Sequence, residues 1–167
     1  MTDRINDIEF SRVTWLWLLS YFVALTLNAI NLQLTMPFFL PPLALIIAFF
    51  WTTYYIHSPH LISVFILGLL YDGLYQSLLG MHALLFVLLM FLMLRIRLRF
   101  RSYRIWQQSL VITFYLAIYQ LTNYLMNGEI LTGSQTWHYW TVPLLAGLLW
   151  VPIYMSFRWI ISLHTHT

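Results

Sequence analysis

The stretch "GLLYDGLYQSLLG", residues 68–80, places one carboxylate, Asp72, inside an otherwise uncharged hydrophobic segment. A buried charge is unfavourable unless it is paired or hydrogen-bonded, so the surroundings of Asp72 decide what kind of fold tolerates it. No charged side chain occurs between Arg12 and Asp72, or between Asp72 and Arg95. The first of these runs alone far exceeds the roughly 20 apolar residues that one bilayer-crossing helix needs. Over the 167 residues, 61% are hydrophobic and 8% are charged, and the mean hydropathy is +0.77. A soluble domain carries about a quarter charged residues, because its surface faces water. The composition therefore predicts an all-α, polytopic membrane protein.

Hydrophobic runs and turn chemistry divide the chain into one domain, 1–167, of six spans at about 13–33, 38–56, 61–79, 80–98, 105–126 and 138–162. The connections are "NLQLTMP", "HSPH", a turn at Gly80, an arginine cluster and "NGEILTGSQT", the last rich in turn-forming pairs. With six spans both termini share one side. Arg4, Arg12, Arg95, Arg97, Arg99, Arg101, Arg104 and Arg158 all fall on that side, which the positive-inside rule makes the cytoplasm. Trp15, Trp17, Trp106 and Trp159 then lie near cytoplasmic ends, with Trp137 and Trp140 near the outer face. The N-terminal stretch is mixed in charge and is followed by no small-residue cleavage site, unlike a cleaved signal peptide. The absence of cysteine excludes disulfides, thiolate metal sites and cysteine nucleophiles.

Eleven residues beyond Leu61, Asp72 is expected ~16 Å into a ~30 Å hydrocarbon core. An aspartate at that depth costs about 2.5–3.5 kcal/mol, whereas each leucine or isoleucine returns only about 0.3–0.6. No arginine lies at matching depth. Three roles follow: Asp72 caps a second half-helix starting at Gly73, or contacts a partner or ligand, or takes part in proton or ion transport. Gly68, Asp72, Gln76 and Gly80 recur at four-residue steps, and Gly73 pairs with Ser77 as small-xxx-small. In a continuous helix they make a narrow face for close approach of another helix; otherwise the glycines break the helix.

In the fifth span Ser109, Thr113, Gln120 and Asn123 recur at helical spacing. They are expected either to donate to Asp72 or to make ordinary interhelical hydrogen bonds. The net charge of +3 raises nucleic acid as a partner, but five arginines, Arg95, Arg97, Arg99, Arg101 and Arg104, sit beside a hydrophobic span. That placement points to anionic lipids or a cytoplasmic protein, with topology alone as the simpler explanation. His57 and His60 lack a third ligand, so no metal site is expected. Pro143 and Pro152 are expected to bend or break the last span, and Gly147 between them invites close packing. No nucleophile–base pair, phosphate loop or zinc motif supports catalysis or a cofactor.

"GLLYDGLYQSLLGMHAL", the arginine-rich loop, "IWQQSLVI" and the closing "LAGLLWVPIYMSFRWI" together resemble the MreD family of bacterial rod shape-determining proteins, over nearly the whole chain. The resemblance rests on Gly68, Asp72, Gly73, Ser77 and Gly80, on Trp106-Gln107-Gln108, and on Gly147 with Trp150. Gln76 departs from it, standing where a small residue is common. The resemblance implies a non-enzymatic inner-membrane component of the cell-elongation machinery, which supports peptidoglycan synthesis. Its implied partners are the bitopic protein MreC, the MreB filament and the RodA–transpeptidase synthase. The implied fold is similar to the substrate-binding subunits of energy-coupling-factor transporters. The Gly68–Gly80 segment is then expected to form the seam for MreC. A reading from a different class is a small-molecule-binding transporter subunit, with a pocket opening outward near Asn123, Glu129 and Trp137.

Overall fold

A computed structural model describes residues 2–33, 40–54, 61–127 and 134–165, and the side chains of most of them. These residues form six helices and, among the described residues, no strand. They are α1 (Thr2–Gln33), α2 (Leu43–Tyr54), α3 (Leu61–Tyr75), α4 (Met81–Ser102), α5 (Ile105–Asn127) and α6 (Ser134–Thr165). Four of them, α1, α4, α5 and α6, are long and apolar enough to cross a membrane, whereas α2 and α3 have only 12 and 15 residues. All-α membrane architecture is thus present, with boundaries that depart from the hydropathy runs. The α1 helix begins at Thr2, ahead of its apolar stretch Trp15–Gln33. The α3 helix ends at Tyr75 rather than 79, and α4 runs on through the arginine cluster to Ser102. Hydropathy reads the apolar turn residues Leu78 and Leu79 as helix; backbone geometry does not. The α6 helix is continuous through Pro143 and Pro152 instead of breaking there. In apolar surroundings neighbouring groups can satisfy the freed carbonyls, so proline is tolerated within a spanning helix.

The α2 helix is the centre of the molecule. It is apolar on every face, and all its residues except Tyr54 are buried, as a helix with no polar stripe must be. The α1 helix holds it with two side chains. Trp51 Nε1 donates to Ser20 Oγ at 2.8 Å, and Asn28 Oδ1 accepts from the Leu43 amide at 3.4 Å. Around α2 the remaining helices pack as two antiparallel hairpins, α3–α4 and α5–α6, each closed at a glycine. A Cβ added to Gly68 would collide with the backbone of Ala83 in α4, and one added to Gly147 would collide with Thr113 Oγ1 in α5. Small residues let helix backbones approach where lipid supplies no hydrophobic drive between them.

Gly73 differs: nothing lies within 4 Å of a Cβ built there. Gly68→Ala should therefore lower thermal stability in detergent by about 1–3 kcal/mol, the usual penalty for overpacking. Gly73→Ala should be neutral or stabilising by up to about 1 kcal/mol, because the helix gains propensity and nothing is displaced. Thermal unfolding followed by circular dichroism separates the two.

Candidate functional site

The α3 helix ends in a Schellman-type turn. Gln76 takes a left-handed conformation (φ 51°), and the Ser77 amide donates back to the Asp72 carbonyl at 3.2 Å. Glycine normally occupies such a left-handed position, and here the chain has Gln76. Gly80, at φ 97°, turns the chain into α4. It has no side chain to cap that helix, and Asp72 supplies the cap from the preceding one. Oδ2 accepts from the Gly80 amide at 2.8 Å and, at 3.4 Å, from Ala83. Oδ1 accepts from the His82 amide at 2.9 Å. Met81 and Leu84 donate to the carbonyls of Leu78 and Gly80, so all four first amides of α4 have acceptors.

The capping role expected of Asp72 is therefore present in a different place. Asp72 does not start a half-helix at Gly73; it lies inside α3 and caps α4. The chain also contains a side-chain partner for Asp72, and it is a histidine rather than an arginine. His82 Nδ1 is 2.8 Å from Asp72 Oδ1, and both side chains are almost wholly buried. Ser77 Oγ donates to the same oxygen at 2.9 Å and stands 3.1 Å from His82 Nδ1. Each backbone and hydroxyl partner of the carboxylate is a donor, which leaves Nδ1 to carry the ring proton toward it. The overlooked signal was a histidine in an apolar run, ten residues from the aspartate across a glycine turn.

Serine, histidine and aspartate meet here, but not in a relay. Ser77 and Asp72 approach the same ring nitrogen, whereas a nucleophile and its orienting acid must use opposite nitrogens of the imidazole. The cluster holds a turn together and does not activate a hydroxyl.

The proposed narrow face is not one surface. Gly68 is consumed against Ala83, Gly73 and Gln76 are exposed, and helix α3 stops before Ser77 and Gly80. Two of the polar residues of α5 bond to α6. Ser109 Oγ donates to the Gly147 carbonyl at 2.6 Å, and Gln120 exchanges hydrogen bonds with Tyr139 at 2.5 and 2.8 Å. Thr113 donates within its own helix to the Ser109 carbonyl. These are ordinary interhelical and local bonds, and none reaches Asp72.

Beside the turn lies a cavity of about 480 Å³, lined by Tyr71, Tyr75, His82, Tyr119, Asn123 and Tyr139 among others. It sits among the ends of α1, α3, α4, α5 and α6 that lie away from the arginine cluster. Tyr71 stacks on Tyr75 with ring centroids 4.3 Å apart and meets His82 at 5.1 Å. Asn123 thus lines a cavity, as the pocket reading requires, whereas Glu129, His57 and His60 and the side chain of Trp137 lie outside the described residues. Among the described residues no group of three His, Cys, Asp or Glu is placed to hold a metal.

At the opposite end, Arg95, Arg97, Arg99 and Arg101 spread around the helical end of α4, with Arg104 in the turn after it. The Arg95 guanidinium lies 4.9 Å from the Phe91 ring centroid. Gln107 Oε1 accepts from the Arg104 amide at 3.0 Å, closing the first turn of α5. Gln108 Nε2 donates to the carbonyls of Phe100 and Tyr103, and its Oε1 accepts from Trp150 Nε1 at 3.3 Å. Gln108 and Trp150 thereby join α4, α5 and α6.

Fold and site together define a helical membrane protein whose buried polar centre organises a helix-to-helix turn. The chain belongs to the family described as rod shape-determining protein MreD, which it matches over residues 10–160. It is 27% identical over 148 residues to the rod shape-determining protein MreD of Haemophilus influenzae, covering 86% of this chain and 90% of that one. No solved structure matches the chain.

Asp72→Leu removes the acceptor of several buried donors. Each donor left unsatisfied costs about 1–3 kcal/mol, so the variant should lose at least about 3 kcal/mol of stability in detergent unfolding. Gln76→Gly relieves the left-handed residue and should gain about 0.5–1 kcal/mol in the same measurement.

Proposed function

We propose that this chain is a non-enzymatic scaffold of the elongation machinery in the bacterial inner membrane, with both termini in the cytoplasm. Its partner is the transmembrane helix of MreC, which packs against the outward face of α3 around Gly73. The observation that carries this reading is Gly73 itself. Glycine inside a helix costs about 1 kcal/mol relative to alanine, yet this one leaves open space and serves no contact in its own fold. It is flanked by exposed Ile66, Leu70 and Leu74, so it forms a notch in an apolar ridge, the feature that close helix packing in lipid uses. Gly68, Asp72, Ser77 and Gly80 support that ridge from behind by fixing the α3–α4 turn, and Gln76 ends it.

Arg95, Arg97, Arg99, Arg101 and Arg104 face anionic lipids and cytoplasmic partners, among them the MreB filament; the RodA–transpeptidase synthase is reached through the assembled complex. The cavity supports a second reading, a small-molecule-binding subunit that holds its ligand among Tyr71, Tyr119 and Asn123. Native mass spectrometry of the detergent-solubilised protein separates the two, since a retained bitopic protein supports the scaffold and a retained small ligand the second reading.

Gly73→Leu should reduce co-purification with MreC several-fold while leaving the melting temperature near that of the parent. Unchanged recovery of MreC would exclude the α3 face. Changing the five clustered arginines to glutamine should leave MreC recovery intact and widen the distribution of cell width. An inverted topology in that variant would reduce the cluster to a topology determinant.

A further inference from the structure

We infer that the α3–α4 turn does not reach the membrane surface but ends inside the hydrocarbon of the leaflet opposite the arginine cluster, where Leu78 and Leu79 are immersed in acyl chains. Two lengths measured from the arginine side agree. The α3 helix begins at Leu61, just after the polar "HSPH", and its 15 residues end at Tyr75, a rise of ~22 Å. In α4 the uncharged part runs from Met81 to Leu94, immediately before Arg95, a rise of ~21 Å. Both fall about 8 Å short of a ~30 Å core, and any tilt shortens their reach further. The α5 helix, by contrast, has 23 residues and rises ~34 Å, enough to cross.

The chemistry of the turn fits that depth. Leu78 and Leu79 are each 81% exposed, the most exposed large apolar residues among those described. No charge lies between Asp72 and Arg95 to hold the turn in water. Non-helical backbone in hydrocarbon must have its polar groups satisfied within the protein. Four of the six amides from Ser77 to His82 find acceptors within the protein, those of Leu78 and Leu79 being the exceptions, and Asp72 provides three of the four acceptors through its carbonyl and its two carboxylate oxygens. The short hairpin also accounts for the cavity, which occupies the recess between the end of α3–α4 and the taller α5 and α6. The inference depends on neither the orientation of the chain nor the identity of its partner.

The test uses the full chain reconstituted in phosphatidylcholine vesicles. It has no native cysteine, so Leu78→Cys and Met126→Cys, each labelled with bimane, report two positions cleanly. Met126 is exposed near the far end of α5 and marks the surface. The label at 78 should be quenched several-fold more by lipids brominated along the acyl chain than by iodide supplied on both sides, with blue-shifted emission. The label at 126 should show the reverse preference. Iodide quenching at 78 equal to that at 126 would overturn the inference by placing the turn in water. Protection of 78 from both quenchers would overturn it equally, by showing that protein and not lipid covers the leucines.

Discussion

One carboxylate decides whether the α3–α4 hairpin exists. A helix start presents amides with no partner in their own helix, and in a membrane water is not there to take them. In this protein Asp72 accepts two of those amides and the Gly80 amide of the turn, and receives the Ser77 hydroxyl and His82 imidazole as well. The charge is not a defect tolerated by the bundle. It is the smallest side chain that offers two oxygens, each able to accept more than one bond, to a turn that would otherwise be unsatisfied.

Around that turn the packing is organised by where backbone meets backbone. Gly68 brings α3 against Ala83 within reach of the cap, and Gly147 brings α6 against Ser109 and Thr113. Each hairpin has its own polar fastening: Asp72 with His82 in one, Gln120 with Tyr139 and Ser109 with Gly147 in the other. At the arginine end Gln108 joins the two hairpins, its Nε2 donating to the Phe100 carbonyl of α4 while its Oε1 accepts from Trp150 of α6. Between them α2, with no polar face, fills the centre and is tied to α1 through Trp51 and Ser20. In this division polar bonds specify which helices pair while the outer faces remain apolar.

Much of this was legible in the amino-acid sequence. Helix content, membrane residence and the family all follow from uncharged runs and from residues spread along the chain, signals summed over many positions. The capping chemistry of Asp72 was readable from Asp-Gly, but the helix that it caps was not, because the answer depends on a fold-back of ten residues. His82 is hard to read from sequence because it is not a fixed charge, and an imidazole becomes a partner only when a turn delivers it. The end of α3 was hidden because Leu78 and Leu79 have the hydropathy of helix; Gln76, with no intrinsic preference for a left-handed backbone, gave no warning. Ser109 and Gln120 of α5 recur at helical spacing, but spacing alone does not say which neighbour they face.

The cap that α3 lends to α4 also bears on how the chain enters the bilayer. During synthesis Asp72 emerges before Gly80 and His82, so for a short time α3 carries its carboxylate without the amides that later surround it. An apolar helix so burdened is a poor candidate for release into lipid alone. It becomes a good one once the start of α4 has followed it and the two have folded back on each other. The unit that the insertion machinery hands to the membrane is therefore the pair of helices, and a mutation in the turn is felt first as a fault of biogenesis, before any partner is met.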